Sequence, residues 1–235
     1  MALDLARSAA LVAMVVFHFT YDLQLFGYAP PGTVFSPGWQ IFARAVAGSF
    51  IFLAGFSLYL AHRDRIHWRK ALHRLALLAA AAALVTGATY VGMPDQFIYF
   101  GILHSITVSS VIGLAFLRLP ASVTLIAGAA VLAMARGLHA EFFNAPMLLW
   151  LGLGTETRRA MDFEPTFPWL APLLFGLAVA KLLAHRGLLA RLSDQAAPSK
   201  GLRLLAWPGQ HSLAIYLCHQ PILIGLLWCV TQLIG

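Results

Sequence analysis

The first apolar stretch of the chain, Leu5 to Phe26, limits the fold more than any other feature. It reads LARSAALVAMVVFHFTYDLQLF, which is long enough to cross a bilayer as one α-helix. We expect it to be retained, because it is too long for a signal peptide and contains Asp22. His18 and Asp22 lie four residues apart and share one helix face. Ionisable side chains inside a spanning helix are costly and face a cavity or a partner.

Composition places the chain among integral membrane proteins. It is 60% hydrophobic and only 11% charged, whereas soluble domains are about one quarter charged. The net charge of +7 would suit a nucleic-acid partner, but the basic residues are concentrated in a few loops between apolar segments. We therefore expect contact with a lipid bilayer and none with nucleic acid.

Seven apolar segments predict an all-α, polytopic transmembrane helical bundle, which we take as a single domain over residues 1–235. The predicted spans are 5–26, 38–61, 71–92, 97–117, 120–136, 167–185 and 206–233. The only two cysteines, Cys218 and Cys229, both lie in the last span. Eleven residues of helix separate them by about 16 Å, so they cannot form a disulfide with each other.

The basic residues predict the orientation of the bundle. Arg7 precedes the first span, and the loops at 27–37 and 93–96 contain no Lys or Arg. The basic loops carry Arg63, Arg65, Arg69, Lys70 and Arg74 before the third span, and Arg186, Arg191, Lys200 and Arg203 before the seventh. Cytoplasmic loops are enriched in such residues, so we expect a cytoplasmic N-terminus and an outer C-terminus.

One long loop, 137–166, departs from that charge pattern. Arg136, Arg158 and Arg159 lie around it on the predicted outer side. Within it, residues 145–153 (APMLLWLGL) are too few to span and predict an interfacial or re-entrant piece. The loop is either a solvated lid or a substrate-facing element.

Helical rise places five polar side chains in one layer of the membrane, from its middle into its outer half. His18, Asp22 and His219 lie about 16, 22 and 18 Å from the inner face, and Arg44 and His104 about 9 and 10 Å below the outer face. Asp22 and Arg44 form the natural ion pair. Alternatively, Asp22 orients the imidazole of His18 one turn away.

This polar layer has two alternative roles that stay open. One is structural, with a salt bridge and histidines bonded to helix backbones. The second is a zinc site, since three histidines and an aspartate are suitable ligands. The chain has no HxxxH spacing, so we expect no metal.

A buried histidine beside a carboxylate, with an arginine nearby, is typical of a general base with a group that holds anionic charge. With no nucleophilic Ser or Cys at that depth, His18 must activate the acceptor itself or carry a group transiently. A phosphorylated donor would bind the basic inner rim, namely Arg7, Arg69, Lys70, Arg74 and His211. Alternatively, His211 bonds a helix end. The residues predict a cross-membrane group transferase without specifying the group.

Several segments carry a resemblance to a known family. They are 4–8 (DLARS) with 14–19 (MVVFHF) and 22–23 (DL), then 50–58 (FIFLAGFSL), 100–104 (FGILH) and 209–221 (GQHSLAIYLCHQP). They resemble bacterial heparan-alpha-glucosaminide N-acetyltransferase-like membrane proteins. The last segment is also similar to the S-x-x-I-Y-L-x-H signature of the wider transmembrane acyltransferase superfamily. Ser8 stands where the family pattern D-x-x-R-G has glycine.

The resemblance implies a bundle that moves an acetyl group from cytoplasmic acetyl-CoA to an outward-facing amine or hydroxyl acceptor. It also implies a multi-pass protein of the bacterial inner membrane and suggests a homodimer. Lysosomal relatives acetylate a terminal glucosamine amine. They carry Asn at the position of His18 and a functional His in the next outer loop, whereas this chain has no His between Phe19 and His62. His18 is therefore the better candidate, and a small molecule or sugar replaces the polymer as the expected acceptor.

The leading hypothesis assigns His18 as base or acyl carrier, Asp22 as its orienting group and Arg44 as the partner of Asp22 or of the oxyanion. His104 and His219 line the cavity and donate hydrogen bonds. A second hypothesis is a non-enzymatic lipid- or quinone-binding protein or carrier with a polar relay. A third is a structural subunit in which the polar layer only fixes helix packing.

Overall fold

The fold is known from a computed structural model that describes residues 1–156, 160–189 and 199–234. Arg158, Arg159 and Arg191 of the predicted loops lie outside the described residues. The described part of the chain is helical and holds no β-strand. A single isolated β-bridge joins Phe100 and Phe163 there. The prediction of an all-α protein is confirmed.

The helices follow the predicted apolar segments closely. They are α1 (Ala2–Leu25), α2 (Pro37–His62), α3 (Trp68–Gly92), α4 (Ile102–Phe116), α5 (Ala121–Gly137), α6 (Thr166–His185), α7 (Lys200–Gln210) and α8 (Ser212–Ile234). Short 3₁₀ turns cover Thr33–Phe35, Pro94–Gln96, Glu141–Asn144 and Leu149–Leu151.

Five of these helices, α1, α2, α3, α6 and α8, are long and apolar enough to cross a membrane. The α4 and α5 helices have 15 and 17 residues, or about 22 and 25 Å against a hydrocarbon core of about 30 Å. Length and composition thus support a multi-pass membrane protein. The count of seven spans and the cytoplasmic N-terminus stay predictions.

Two of the predicted spans differ from the helices found. The fourth begins at Ile102 rather than at residue 97, because extended backbone at Gly101 (φ −95°, ψ −169°) precedes the helix. The seventh is two helices. At His211 the backbone leaves the helical region (φ −108°, ψ 26°), and its N–H bonds back to the carbonyls of Trp207 and Pro208, which closes α7.

The contacts divide the chain into two compact units, which we describe separately. The first comprises Met1–Phe50 and the described part of the C-terminal segment. In it α1 packs along α7 and α8. The early residue Ser8 bonds Gly209, and the later Asp22 bonds Gln220. Since residue numbers rise together on both sides, α1 and α8 run parallel.

Gly209 lets α7 approach α1 at van der Waals distance. A Cβ at this position would overlap the carbonyl oxygen of Asp4, and the backbone N–H of Gly209 donates to Ser8 Oγ at 2.8 Å. Two of the segments that carry the family resemblance, 4–8 and 209–221, are therefore in direct contact. The residue that departs from the family pattern, Ser8, supplies the hydrogen bond.

The second unit comprises Ile51–Arg191, in which α6 packs against α4 and α5, and α3 packs against α4. The end of α2 also lies against α6. Cβ atoms at Gly55 and Gly176 would overlap the carbonyl oxygens of Leu173 and Phe52, respectively. Such close backbone approach through small residues is typical of helices packed within membranes.

Lys181, a buried cation of α6, joins three elements of this unit. Its Nζ donates to the carbonyls of Phe116 and Leu119 at 2.5 and 2.7 Å, and to Thr124 Oγ1 at 3.0 Å. The carbonyl of Phe116 is the last of α4 and also accepts from the N–H of Leu119, whose own carbonyl lies in the turn that follows. The C-terminus of a helix carries partial negative charge, which favours a cation there. Lys181 thus closes that end.

Asp162 has the opposite role at the start of α4. Its Oδ2 accepts from the N–H of Ile102 at 3.0 Å and lies where a Cβ on Gly101 would overlap it. Burial raises the pKa of the Asp162 carboxyl to about 6, although the bond from Ile102 opposes that rise. The proton is therefore held more tightly in the folded protein than in the unfolded chain.

We predict that Gly209→Ala destabilises the protein by about 1–3 kcal/mol, because the added methyl group must displace the backbone of α1. Thermal unfolding in detergent measures the change, and about 2–4 °C per kcal/mol is expected. Gly201→Ala is the matched control in the same helix, since nothing lies within 4 Å of a Cβ there. Equal melting temperatures for the two variants would contradict the close approach.

We predict that Asp162 makes the stability depend on pH with a definite sign. Because its folded pKa is raised, its contribution is complete below the ordinary carboxyl pKa and is lost as pH rises through about 6. Asp162→Asn, which keeps an acceptor for Ile102, should lack this loss. Melting curves from pH 4 to 7 measure the difference, with exposed Glu141→Gln as control. A wild-type stability that rises over this interval relative to Asp162→Asn would refute the assignment.

Candidate functional site

A buried polar cluster forms between α1 and α8 in the first unit. Asp22 is 0% exposed, although it lies in an apolar helix, and its Oδ1 accepts from Gln220 Nε2 at 2.6 Å. One turn earlier on α1, the ring of His18 lies edge-on to the ring of His219, with centroids 4.9 Å apart. The structure therefore brings together three of the five predicted polar residues and adds Gln220.

The hydrogen bonding of His219 fixes which ring nitrogen carries the proton. Its Nδ1 lies 2.5 Å from the carbonyl oxygen of Tyr216. A carbonyl only accepts, so Nδ1 is the protonated nitrogen and Nε2 has a lone pair. That Nε2 is buried and has no hydrogen-bond partner. We expected His219 to donate into a cavity, whereas it donates to its own helix and presents an acceptor.

Two oxygens of the cluster are likewise buried hydrogen-bond acceptors without a partner. Asp22 Oδ2 and Gln220 Oε1 are buried and have no hydrogen-bond partner. The Gln220 amide is oriented by its donation to the carboxylate, which leaves its oxygen as an acceptor. Each such unpaired group costs about 1–3 kcal/mol, and a native protein tolerates them mainly where a ligand or water pairs with them. All three unpaired atoms are acceptors, so the cluster suits a group that brings several N–H or O–H bonds.

His18 is held by ring packing alone. It is half-buried, its ring lies edge-on to Phe17 at 5.6 Å, and no hydrogen bond to it occurs within the described ranges. The expected orientation of His18 by Asp22 is therefore not made directly, because the carboxylate bonds Gln220. Both nitrogens of His18 stay available to a ligand.

Arg44 does not form the expected pair with Asp22. It is exposed on α2, and no ion pair joins it to Asp22 in the part of the chain that the structure describes. The physical reason is that a facing amide already reaches the carboxylate, whereas an arginine keeps its charged group at the surface when it can. Depth alone could not distinguish the two arrangements.

His104 belongs to the second unit, and its ring is occupied there. Its Nδ1 accepts from the N–H of Gly101 at 3.2 Å, so its Nε2 is the donor that faces Thr86 Oγ1 at 3.3 Å. Thr86 in turn donates to the carbonyl of Ile98 at 2.7 Å. His104 thus follows the structural alternative, in which a histidine bonds the backbone of its own helix. These bonds cap the start of α4.

The predicted donor-binding residues are distributed over both units. In the first, Arg7 lies 3.2 Å from the carboxylate of Asp4, and His211 Nδ1 lies 3.0 Å from the carbonyl of Trp207. His211 thus bonds a helix end. In the second, Arg69 and Lys70 are exposed on the first turn of α3, and Arg74 is half-buried one turn later.

The second unit also has an open depression of about 510 Å³. Apolar and aromatic side chains line it, namely Tyr99, Phe100, Val108, Pro146, Met147 and Trp150. The indole N–H of Trp150 donates to the carbonyl of Met147 at 2.9 Å, which fixes its wall. Among the described residues there is no group of three His, Cys, Asp or Glu that could hold a metal ion.

The amino-acid sequence matches the model of a known protein family. The profile described as "Heparan-alpha-glucosaminide N-acetyltransferase, catalytic" matches residues 1–221, which include both sides of the cluster. Neither a curated protein nor a solved structure matches the chain. Because the profile covers almost the whole chain, the protein belongs to the heparan-alpha-glucosaminide N-acetyltransferase catalytic-domain family and is a membrane acetyltransferase by that membership.

Proposed function

We propose that this protein transfers an acetyl group from cytoplasmic acetyl-CoA to an outward-facing amine or hydroxyl acceptor, such as an amino sugar. The observation that carries the proposal is the buried cluster of α1 and α8. There the free lone pair of His219 Nε2 accompanies unpaired oxygens of Asp22 and Gln220. An oriented imidazole with a free lone pair is the equipment of a general base.

The reaction uses the unpaired hydrogen-bond acceptors of the cluster. The molecule that receives the acetyl group points its N–H or O–H bonds at the cluster, and His219 Nε2 takes one proton from it. The acceptor nitrogen or oxygen attacks the carbonyl carbon of the acetyl thioester, so that a C–N or C–O bond forms and the C–S bond breaks. The proton then passes to the departing CoA thiolate. Asp22 supplies negative charge that stabilises the imidazolium formed on the way.

His18 has two roles compatible with this scheme. It either acts as a second base, or it carries the acetyl group transiently on a ring nitrogen before the acceptor takes it. Arg44 keeps only one of its expected roles, which is to stabilise the developing oxyanion, since it is not paired with Asp22. His104 serves α4 and has no part in the reaction.

Cationic side chains for the phosphates of the donor are present. Exposed Arg69 and Lys70 suit this purpose best, with Arg74 one turn further along α3. Arg7 and His211 belong to the first unit and already bond Asp4 and the Trp207 carbonyl, so their part in donor binding stays a prediction. We place the protein in a bacterial inner membrane with its N-terminus in the cytoplasm, the side that holds acetyl-CoA. A homodimer is the proposed assembly.

A second candidate function is a carrier or a lipid- or quinone-binding protein with a polar relay. It is favoured by one observation, the complete burial of Asp22 with one unpaired oxygen, since such carboxylates in membrane helices often transfer protons or bind cations. It needs no CoA.

We predict that His219→Ala and His18→Ala each lower acetyl transfer by at least about 100-fold, which is the contribution of a positioned base. The assay uses protein in liposomes, labelled acetyl-CoA and an amino sugar on the opposite side. His73→Ala, an exposed histidine of α3, is the control, and melting curves show whether each variant is folded. Full activity in a folded His219→Ala protein would refute the assignment of His219 as the general base.

We predict that acetyl-CoA, and not a quinone, stabilises the protein. At a concentration 100 times its Kd, a ligand stabilises by about 2.7 kcal/mol, which raises Tm by roughly 5–10 °C in a chain of this size. The double variant Arg69→Gln/Lys70→Gln should lose most of this shift, whereas exposed Arg136→Gln should keep it. Stabilisation by a quinone with none by acetyl-CoA would favour the relay instead.

A further inference from the structure

We propose that Gln220 determines the acceptor specificity of this site by holding Asp22 in place and by offering its own amide oxygen to a protonated amine. The inference rests on the proposed function, because it names a specificity residue for that same reaction. No ionisable group marks Gln220 in the sequence. Its importance comes from the contact that it makes with α1.

The hydrogen bond from Gln220 positions the carboxylate of Asp22. Gln220 Nε2 donates to Asp22 Oδ1 at 2.6 Å, across the contact between α1 and α8. Asp22 is 0% exposed, so no surface water replaces this donor if it is removed. The bond therefore sets the direction in which the second oxygen, Oδ2, points. Gln220 acts here through Asp22 and is a positioning residue in this respect.

The oxygen of the same amide is a second feature of the site. Because the amide nitrogen faces the carboxylate, Gln220 Oε1 is left as a buried acceptor without a partner. Oε1 and Asp22 Oδ2 are thus the two unpaired oxygens of one hydrogen-bonded pair of side chains. The acceptor lone pair of His219 Nε2 lies on the adjacent residue of α8.

These acceptors match one class of ligand. A primary ammonium has three N–H donors and a positive charge, whereas a hydroxyl has one donor and no charge. Of the two groups, only the ammonium can pair with more than one of these atoms and also balance the charge of the Asp22 carboxylate. Sites built to bond such groups discriminate strongly against analogues that leave buried polar atoms unpaired. The ammonium loses two protons in the reaction. His219 takes the first, which makes the amine nucleophilic, and releases it to solvent after the transfer; the second leaves the nitrogen as the C–N bond forms and passes to the CoA thiolate.

The main experiment compares Gln220→Met with wild type, using glucosamine and glucose as a matched amine and hydroxyl pair. We expect the ratio of kcat/KM for glucosamine to that for glucose to fall by about 10- to 100-fold, from the loss of one acceptor and of the Asp22 orientation. Most of the change should lie in KM for glucosamine. Gln232→Met, an exposed glutamine of the same helix, is the control and should leave the ratio unchanged.

A second variant tests whether Gln220 acts on substrate choice or only on stability, because it makes amine preference depend on pH. In Gln220→Glu, a protonated carboxyl keeps one donor for Asp22 and one acceptor, whereas the ionised form repels Asp22. Amine preference should therefore persist at low pH and fall as pH rises. The titratable groups that wild type also has at this contact are common to both proteins; they are His18, Tyr21 and Asp22 on α1 with Tyr216 and His219 on α8. The difference between their pH profiles isolates the substituted side chain.

The outcomes separate this inference from the proposed function. If Gln220→Met lowers transfer to both sugars equally, or leaves the ratio unchanged, Gln220 is structural and the inference is overturned. If wild type transfers acetyl to neither sugar, the proposed function fails. The inference is then decided by binding alone. Thermal stabilisation by glucosamine over glucose that Gln220→Met abolishes supports it, and no such preference in wild type overturns it.

Discussion

The hydrogen bond between Asp22 and Gln220 is the interaction on which the candidate site depends. It joins two apolar helices through a carboxylate that is entirely buried, where the loss of hydration is expensive. A single neutral amide pairs with only one carboxylate oxygen. The remaining oxygen, the amide oxygen and His219 Nε2 are left unpaired on the same contact. The packing of α1 on α8 thus creates both the contact and its unsatisfied acceptors.

The segment 209–221 meets two different requirements of this contact. Gly209 at its start allows α7 to touch the backbone of α1, and its N–H is bonded by Ser8. Ten residues later, His219 and Gln220 meet His18 and Asp22. The close packing of α7 on α1 and the polar contacts of α8 with α1 both follow from one parallel alignment of the segment with α1. The segment 209–221, which carries part of the family resemblance, therefore makes both kinds of contact with α1.

Sequence reasoning predicted that His18, Asp22 and His219 lie together, and the contacts between α1 and α8 agree with that grouping; their roles in a reaction stay predictions. The spacing of His18 and Asp22 gave their common helix face, and helical rise placed His219 at a matching depth. The same estimate could not separate Arg44 and His104 from the cluster, because depth says nothing about the direction a side chain takes around its helix. Arg44 is exposed, and local bonds to Gly101 and Thr86 occupy His104. Gln220 was not predicted as a site residue because the prediction relied on the free-energy cost of burying ionisable side chains, and Gln220 is uncharged.

The charge of the cluster finally links the fold to the chemistry. No cationic side chain contacts Asp22 among the residues that the structure describes. The negative charge of Asp22 is therefore balanced by a cationic ligand, or it is removed by protonation of the carboxylate. A proton on Asp22 would supply one donor, which can pair with the amide oxygen of Gln220 or with His219 Nε2 but not with both. A ligand with several N–H bonds and a positive charge can pair with more than one of these acceptors and balance the carboxylate as well. The arrangement therefore favours an amine that arrives protonated and loses its proton to His219, which makes substrate binding and base catalysis consequences of the same buried carboxylate.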